Sequence, residues 1–406
     1  MTAVINATAC GLIQEARRCH DRIGKVYAGR DGVIGALTED LIDTSLESDA
    51  DIARLRHTPG GAFGSSRYHL GSLNSHRQHY ERLAAVFREH NIGYYFVNGG
   101  EGSMGAALEL SRSMAALGHP LSVIGIPKTV DNDLALTDTC PGFGSVAKYV
   151  ATSMREAGFD VASMARTSTQ VFILESMGRH AGWIAAACGL ASERAADPPH
   201  ILLFPEVPFD AERFLARVRD CVGRYGYCAI AVAEGLCEAD NCMSNDASTV
   251  RFPEAGQPGS VGRFIADLIH RHLGYKYHLA LADYLQRAAR HLASGTDVAQ
   301  AHALGVAAVN RALAGKKDIM LTLERRSTHP YCWEIGEVHL SAVANVERKM
   351  PLEFISKDGF HITEACRNYL QPLIAGEDDP PYRLGLPDYV HLKNISAAKR
   401  LPPFQI

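Results

Sequence analysis

No apolar run in this chain is long enough to span a bilayer, and its first residues lack the basic, apolar and small-residue order of a signal peptide. A membrane partner is therefore not expected, and a cytoplasmic location follows as the default. There is no basic tract: the net charge is −4 and the lysines and arginines are interspersed with acids, which argues against a nucleic-acid partner. The ten cysteines run from Cys10 to Cys366 without a single CxxC pair. Several, such as Cys188 and Cys228, lie inside apolar runs, so they read as reduced core residues. Cys237 and Cys242 bracket Glu-Ala-Asp-Asn, but no second cysteine or histidine pair stands nearby to complete a metal site. His76 and His79, and His270 and His272, also lack further ligands at metal spacing and read as surface or packing residues.

What is present is a chain of 406 residues, 47% apolar, long enough for two domains with a large buried core. Helical and strand-like stretches alternate. The pattern predicts helices over 7–18, 80–89 and 103–117 with strands over 25–28, 94–98 and 121–126. After Gly144 the alternation repeats, with helices over 146–157, 183–190 and 211–225 and strands over 171–174, 201–204 and 228–233. Two successive units of this kind, with no low-complexity linker, define an α/β protein of two Rossmann-like three-layer αβα domains, with the active-site cleft expected between them. Residues 359–388 are richer in proline and charge and read as a surface insertion.

Two loops carry the chemistry. Gly99-Gly100-Glu101-Gly102-Ser103 follows the apolar run 94–97, and Pro127-Lys128-Thr129-Val130-Asp131-Asn132-Asp133 follows 123–126. If both runs are buried parallel strands, both loops leave the carboxyl edge of one sheet, where open α/β sheets bind ligands. The first loop offers unobstructed backbone N–H groups and one carboxylate. The second sets an ammonium three residues before a closely spaced carboxylate pair. Phosphoryl transfer to an alcohol needs a base, a cation and fixed donors around the moving phosphoryl. Asp131 is the candidate base and Glu101 the candidate Mg²⁺ ligand, because hard magnesium takes one or two carboxylates plus phosphate oxygens. Arg179 opens a helix after the strand 171–174, a position from which a guanidinium meets a phosphate beside backbone N–H groups.

Alternatives stand beside these readings. Asp131-Asn132-Asp133 could be only an Asx-type turn. Gly100-Glu101-Gly102-Ser103-Met104-Gly105 also matches G-x-G-x-x-G, the fingerprint of a dinucleotide-binding dehydrogenase. That rival needs an acid at the end of the next strand, which instead ends Ile126-Pro127-Lys128.

Together with Gly60–Arg67, Glu175–Trp183, Pro205-Glu206-Val207 and Ala344–Pro351, these loops resemble the phosphofructokinase family, most closely its pyrophosphate-dependent bacterial branch. The matches cover almost the whole chain in family order. The resemblance implies a transfer of phosphoryl from pyrophosphate to the C1 hydroxyl of fructose 6-phosphate, with Mg²⁺ as cofactor. It assigns Asp131 to that hydroxyl, with Asp133, Thr129 and Val130 supporting the sugar site. The Met177-Gly178-Arg179 turn holds the sugar, Glu234 accepts its hydroxyls, and Tyr284 and Arg287 hold the 6-phosphate. Arg67 faces the transferring phosphoryl, and Gly100, Gly102 and Ser103 form the donor loop around Glu101, where the family usually has Asp or Asn. Lys128 is the residue of pyrophosphate users, whereas Gly102, where that branch usually has Asp, points towards ATP. An ATP-dependent enzyme and a catalytically weakened sugar-phosphate-binding paralogue are therefore the alternatives.

The implied domains are 1–143 plus about 280–316 for the donor, and 144–279 plus about 317–406 for the sugar phosphate. A homodimer or higher homo-oligomer is expected. In the family the segment matching Thr2–Ala7 is preceded by a strand and a Gly-Gly turn that holds donor phosphates, whereas this sequence begins at Met1. A misplaced start codon or a trimmed sequence is the expected reason, rather than a natural protein that folds without a central strand.

Overall fold

A computed structural model describes residues 1–236 and 258–406; Cys237 and Cys242 lie outside the described residues. The chain begins with α1 (Ile5–Arg18), β1 (Tyr27–Gly29), α2 (Val33–Thr38), β2 (Leu41–Asp43) and α3 (Asp49–Arg54). Then come α4 (Arg77–Glu89), β3 (Tyr94–Gly99), α5 (Glu101–Ala116), β4 (Ser122–Pro127) and α6 (Phe143–Met164). The alternation repeats through β5 (Val171–Ser176), α7 (Trp183–Cys188), β6 (Ile201–Leu203), α8 (Ala211–Tyr225) and β7 (Cys228–Ala233). The later elements are α9 (Ser260–Leu273), β8 (Tyr277–Leu281), α10 (Asp283–Ala288), α11 (Gly295–Leu313), β9 (Ile319–Thr328) and β10 (Tyr331–His339). The described chain ends with α12 (Glu364–Leu370) and the short pair β11 (Tyr382–Arg383) and β12 (Leu386–Pro387).

The chain divides into two compact units: residues 1–142, 290–347 and 376–406, and residues 143–289 and 348–375. This differs from the division expected from the sequence in three places. Residues 280–289 stay with the second unit, because β8 pairs in parallel with β5 and α10 follows it directly. Residues 317–347 belong to the first, because β9 pairs in parallel with β4, Ile124 facing Ile319, and forms an antiparallel hairpin with β10. Residues 376–406 return to the first unit as well.

The first unit is built on a sheet of order β10-β9-β4-β3. Its helix α5 buries Met104, Ala107, Leu110, Ser111 and Met114, spaced three and four apart as one helical face requires. On the opposite side α1 packs on α11 so closely that a Cβ on Gly11 would overlap the carbonyl of His302, and one on Gly305 that of Thr8. Glycine on both helices permits that approach.

The C-terminal segment is held to this unit by two acids, the buried Glu39 and the half-buried Asp378. Glu39 accepts the backbone N–H of Arg400 at 2.6 Å and of Leu401 at 3.0 Å, with His90 Nε2 at 2.8 Å. Asp378 binds Arg56 at 2.8 Å and also the fully buried Arg290. Burial opposes the charge on Asp378, but the Arg56 and Arg290 guanidinium groups outweigh it and hold the carboxyl below its usual range. Its stabilisation is therefore present above the ordinary carboxylate pKa and is lost as pH falls through the lowered one. Asp378→Asn leaves the buried Arg290 without its counter-charge, so chemical denaturation at pH 7 should read a loss of about 3 kcal/mol or more. That loss should shrink as the wild type is titrated into acid.

The second unit is a fully parallel sheet of order β6-β7-β5-β8. Strand β7, Cys-Ala-Ile-Ala-Val-Ala, is buried at every residue, as a strand covered on both faces must be. Helix α8 starts where Asp210 accepts the N–H of Arg213 and stops at Gly226, whose φ of 83° the helix cannot continue. The expected surface insertion at 359–388 is corrected over its first half: Phe360, Ile362, Cys366, Leu370 and Leu373 are buried, and α12 begins at a Thr363 cap. Eight cysteines are described, none in a disulfide; Cys332 is exposed and Cys19 half-buried, so these two are not the core residues expected. No helix among the described residues is long and apolar enough to cross a membrane.

Candidate active site

In the first unit β3 and β4 run parallel with Gly99 opposite Pro127, so the segments that follow them start side by side. The Lys128 N–H donates to the Gly99 carbonyl at 3.0 Å, which ties the two loops at their roots. Strand β3 turns into α5 without an intervening loop. A Cβ on Gly99 would overlap the Ser103 side chain, so the tight turn needs glycine there. Gly100 is the N-cap and supplies no side-chain acceptor, which leaves the first amides of α5, including those of Gly102 and Ser103, facing outward as an anion-binding end. Glu101 is half-buried in that first turn. Gly102 is exposed, and a Cβ there would meet nothing within 4 Å, so there is room at this position.

The loop after β4 is tightly held. Thr129 bridges Gly142 and Leu134 bridges Glu347, so both flanks of Asp131–Asp133 are pinned. The Thr129 hydroxyl accepts the Asp131 N–H at 3.1 Å. Asn132 takes a φ of 54°, which asparagine tolerates better than most residues, and its buried side chain accepts the Cys140 N–H at 3.0 Å. The local side-chain turn here is therefore made by Thr129, while the Asn132 side chain reaches on to Cys140, and Asp131 and Asp133 flank it half-buried. Val130 is buried and Lys128 half-buried. Asp297, buried in α11, accepts the Gly142 N–H at 2.9 Å and fixes the end of the loop; nothing in the sequence pattern singled it out.

Arg67 lies exposed on the irregular stretch between α3 and α4. The root of that stretch is anchored: the buried Asn6 side chain accepts the Ala62 N–H at 3.0 Å, and the Asp31 N–H donates to the Phe63 carbonyl at 2.9 Å. Gly64, with φ 77°, sits against the Asp31 carboxylate, where a Cβ would collide.

In the second unit Met177, Gly178 and Arg179 follow β5, Glu234 follows its parallel neighbour β7, and Tyr284 and Arg287 lie on α10 after β8. All six leave the carboxyl edge of one sheet. The Glu234 N–H donates to the Ser176 carbonyl at 3.0 Å and the Gly235 N–H to Gly178 at 3.1 Å, so these two loops are joined by their backbones. A Cβ on Gly235 would overlap the Arg179 backbone, and Gly178 adopts φ 128°. Burial raises the Glu234 carboxyl above its usual range, against the Gly178 amide and the Arg179 charge, which favour the ionised form. Arg179 itself is exposed. The Arg287 guanidinium lies 3.7 Å from the centre of the exposed Tyr284 ring, a cation–π pair on one helical face.

Three further residues organise this edge. Gln286, almost fully buried, accepts the Met177 N–H at 3.3 Å and so links α10 to the turn after β5. Glu175, buried at the end of β5, accepts the N–H groups of Gly259 and Gly262 at 2.6 Å each and caps α9. Glu206 accepts the N–H of Gly182 at 2.9 Å and of Met350 at 3.2 Å, so three separated sequence motifs meet at one carboxylate. Each lies inside a run whose residues stood out in the sequence, but only the fold gives them partners.

Among the described residues no group of three or more His, Cys, Asp or Glu side chains gathers as a metal site. Among these residues a metal held by protein ligands alone does not fit. A magnesium ion that takes one carboxylate and completes its shell with phosphate oxygens and water would fit, and the Glu101 carboxylate in the first turn of α5 is the one that would hold it.

In each unit the loops that follow parallel strands leave one carboxyl edge, the ligand-binding edge of an α/β enzyme, and the comparisons with known proteins agree with that class. The chain belongs to the phosphofructokinase family, whose model, Phosphofructokinase, matches residues 1–312. It is 59% identical over 401 residues, 99% of this chain and 96% of the relative, to a pyrophosphate–fructose 6-phosphate 1-phosphotransferase of Methylococcus capsulatus. A protein of the same name from Halomonas elongata is 54% identical over 406 residues, 100% of this chain and 97% of its own. The crystal structure of a pyrophosphate-dependent phosphofructokinase from Marinobacter aquaeolei superposes with a TM-score of 0.91 at 56% identity, covering 100% of this chain and 97% of that one. The resemblance read from the sequence motifs and the two-unit α/β fold are both in accord with these findings.

Proposed function

We propose that this protein transfers a phosphoryl group from pyrophosphate to the C1 hydroxyl of fructose 6-phosphate, yielding fructose 1,6-bisphosphate and orthophosphate. The observation that carries the reading is the pairing of β3 with β4, which sets the open end of α5 beside the Lys128–Asp133 loop. The relatives named above, matched over nearly their whole length, act by name on these two substrates.

In this reading Asp131 accepts the proton of the C1 hydroxyl as its oxygen forms a bond to phosphorus. The bridging P–O bond of pyrophosphate breaks, and orthophosphate leaves with that electron pair. Lys128, Arg67, the Gly100 amide and the first amides of α5 at Gly102 and Ser103 neutralise the charge on the moving phosphoryl and the departing group. A magnesium ion on Glu101 would screen the donor's charge when bound. In the second unit Glu234 accepts sugar hydroxyls beside the Met177–Arg179 turn, while Tyr284 and Arg287 hold the 6-phosphate; Thr129, Val130 and Asp133 shape the sugar's reacting end. Donor and product carry similar phosphoryl potential, so the reaction runs in both directions and serves sugar breakdown and synthesis. A cytoplasmic location and a homodimer or higher homo-oligomer complete the proposal.

The open space at Gly102 supports a second reading, ATP as donor, because no side chain there obstructs a longer polyphosphate. A coupled assay for fructose 1,6-bisphosphate with pyrophosphate and ATP side by side decides between them. Pyrophosphate should give the higher kcat/KM; turnover with neither would leave a sugar-phosphate-binding protein.

The metal assignment has its own test. Glu101→Ala should raise the magnesium concentration needed for half-maximal rate several-fold, since the site would keep only phosphate and water oxygens. An unchanged magnesium titration would remove Glu101 from the metal site.

A further inference from the structure

Asp131 stands in an irregular segment, residues 128–142, that runs from β4 to α6. A base on such a segment must still be held within about 0.5 Å of its productive position. Two tethers act far from Asp131 in the segment. The Asp138 N–H donates to the Leu323 carbonyl at 2.8 Å and its carboxylate accepts Arg325 at 3.1 Å, while the Thr137 hydroxyl accepts the Leu323 N–H at 2.9 Å. Gly142 acts nearer. It bridges Thr129 in parallel, and the Thr129 hydroxyl accepts the Asp131 N–H at 3.1 Å. With φ 113°, and with the Thr2 side chain where a Cβ would go, this position needs glycine and has no side chain to fix it. Its N–H donates instead to Asp297 Oδ1 at 2.9 Å.

Asp297 is 2% exposed in the first turn of α11, where the Ser294 hydroxyl accepts its N–H at 3.4 Å. The start of that helix is fastened on several sides. Ser294 bridges Glu377, the Gly295 N–H donates to the Gly376 carbonyl at 2.9 Å, and the fully buried Arg290 binds Asp378 just upstream. One turn on, Gln300 donates to the Tyr331 hydroxyl at 3.0 Å. An acid at this helical position ordinarily serves the N–H groups of its own helix start. A bond to Gly142, 155 residues away in the chain, is more than capping requires. Contacts therefore lead from an anchored helix end to the proposed base, by way of Asp297, Gly142 and Thr129. We propose that Asp297 is a positioning residue for the phosphoryl transfer, setting through Gly142 and Thr129 where Asp131 meets the reacting hydroxyl. The inference rests on the reading of Asp131 as the base.

The test uses the full chain, with rates taken per folded molecule so that a loss of stability alone moves nothing. D297A should lower kcat at least about tenfold, as misplacement of a reacting group does, with the KM for pyrophosphate little changed. D297N keeps an oxygen that can accept the Gly142 N–H and should recover to within about threefold of the wild type. The deciding measurement is the combination with D131N. A residue that only places the base has nothing left to place once the base is gone, so D131N/D297A should turn over as slowly as D131N and no slower. If D297A fails to fold, D297E takes its place: its carboxylate, one methylene longer, displaces the Gly142 N–H and should show the same non-additivity. An unchanged kcat in D297A, or losses that multiply in full in the double variant, would overturn the role of Asp297. Near-wild-type turnover in D131N would overturn the base itself, and with it the reading on which this inference rests.

Discussion

Asp131→Asn is expected to lower kcat by at least about a hundredfold, the usual scale for loss of a general base, with little change in the KM for fructose 6-phosphate. That factor corresponds to about 2.7 kcal/mol of lost transition-state stabilisation. The substitution keeps the size and shape of the side chain while removing its ability to take a proton. Several of the bonds that hold the loop belong to other groups and are kept in the variant. The Asp131 contact with the Thr129 hydroxyl comes from its backbone N–H, Asn132 carries the bond to Cys140, and the flanks are bridged to Gly142 and Glu347. A fall in kcat without a shift in the thermal transition would therefore report chemistry. Near-wild-type turnover would remove Asp131 as the base and return the Asp131–Asp133 run to the role of a plain turn.

How much of this could be read in the sequence depended on the range of the interaction. Helix α8 was legible to the residue, because its apolar spacing, its Asp210 cap and its Gly226 stop are all local signals. The strands β3, β4, β5 and β7 were legible as short apolar runs, and with them the placement of the loops at sheet edges. The domain boundaries were not, because they depend on which strand pairs with which. The pairing of β9 with β4 and of β8 with β5 joins residues far apart in the chain, and no local pattern records it. Residues 359–374 were misread for a related reason: proline and charge suggested surface, but Phe360, Ile362 and Leu370 find burial against distant elements. Around the candidate site, local pattern marked loops and a helix that follow strands at the sheet edges. It could not mark Glu175, Gln286 or Asp297, whose partners are backbone amides 80 or more residues away.

In the proposed reading, Lys128 and Gly102 pull the choice of donor in opposite directions, and their placement favours Lys128. Lys128 is half-buried at the root of the loop, its N–H bonded to Gly99, so its ammonium starts from a fixed point beside the end of α5. Gly102 is exposed with open space where a side chain would be, so it removes an obstacle but supplies no contact. An attractive charge at the transferring group acts on the transition state, whereas empty space only permits a ligand to enter. Lys128→Gly should therefore cost at least about a hundredfold in kcat/KM for pyrophosphate, because a charge-assisted contact to the phosphoryl group disappears. The same change should let some ATP turnover appear, since the four-carbon stem no longer fills the space of the nucleotide's inner phosphate and sugar. Gly102→Asp in the wild-type background should leave pyrophosphate turnover nearly intact and lower any residual ATP turnover further, as the new carboxylate would repel the additional phosphate. If ATP is the better donor before any substitution, the vacancy at Gly102 outweighs the ammonium and the donor half of the proposal fails; if Lys128→Gly leaves pyrophosphate turnover unchanged, the ammonium does not reach the transferring group.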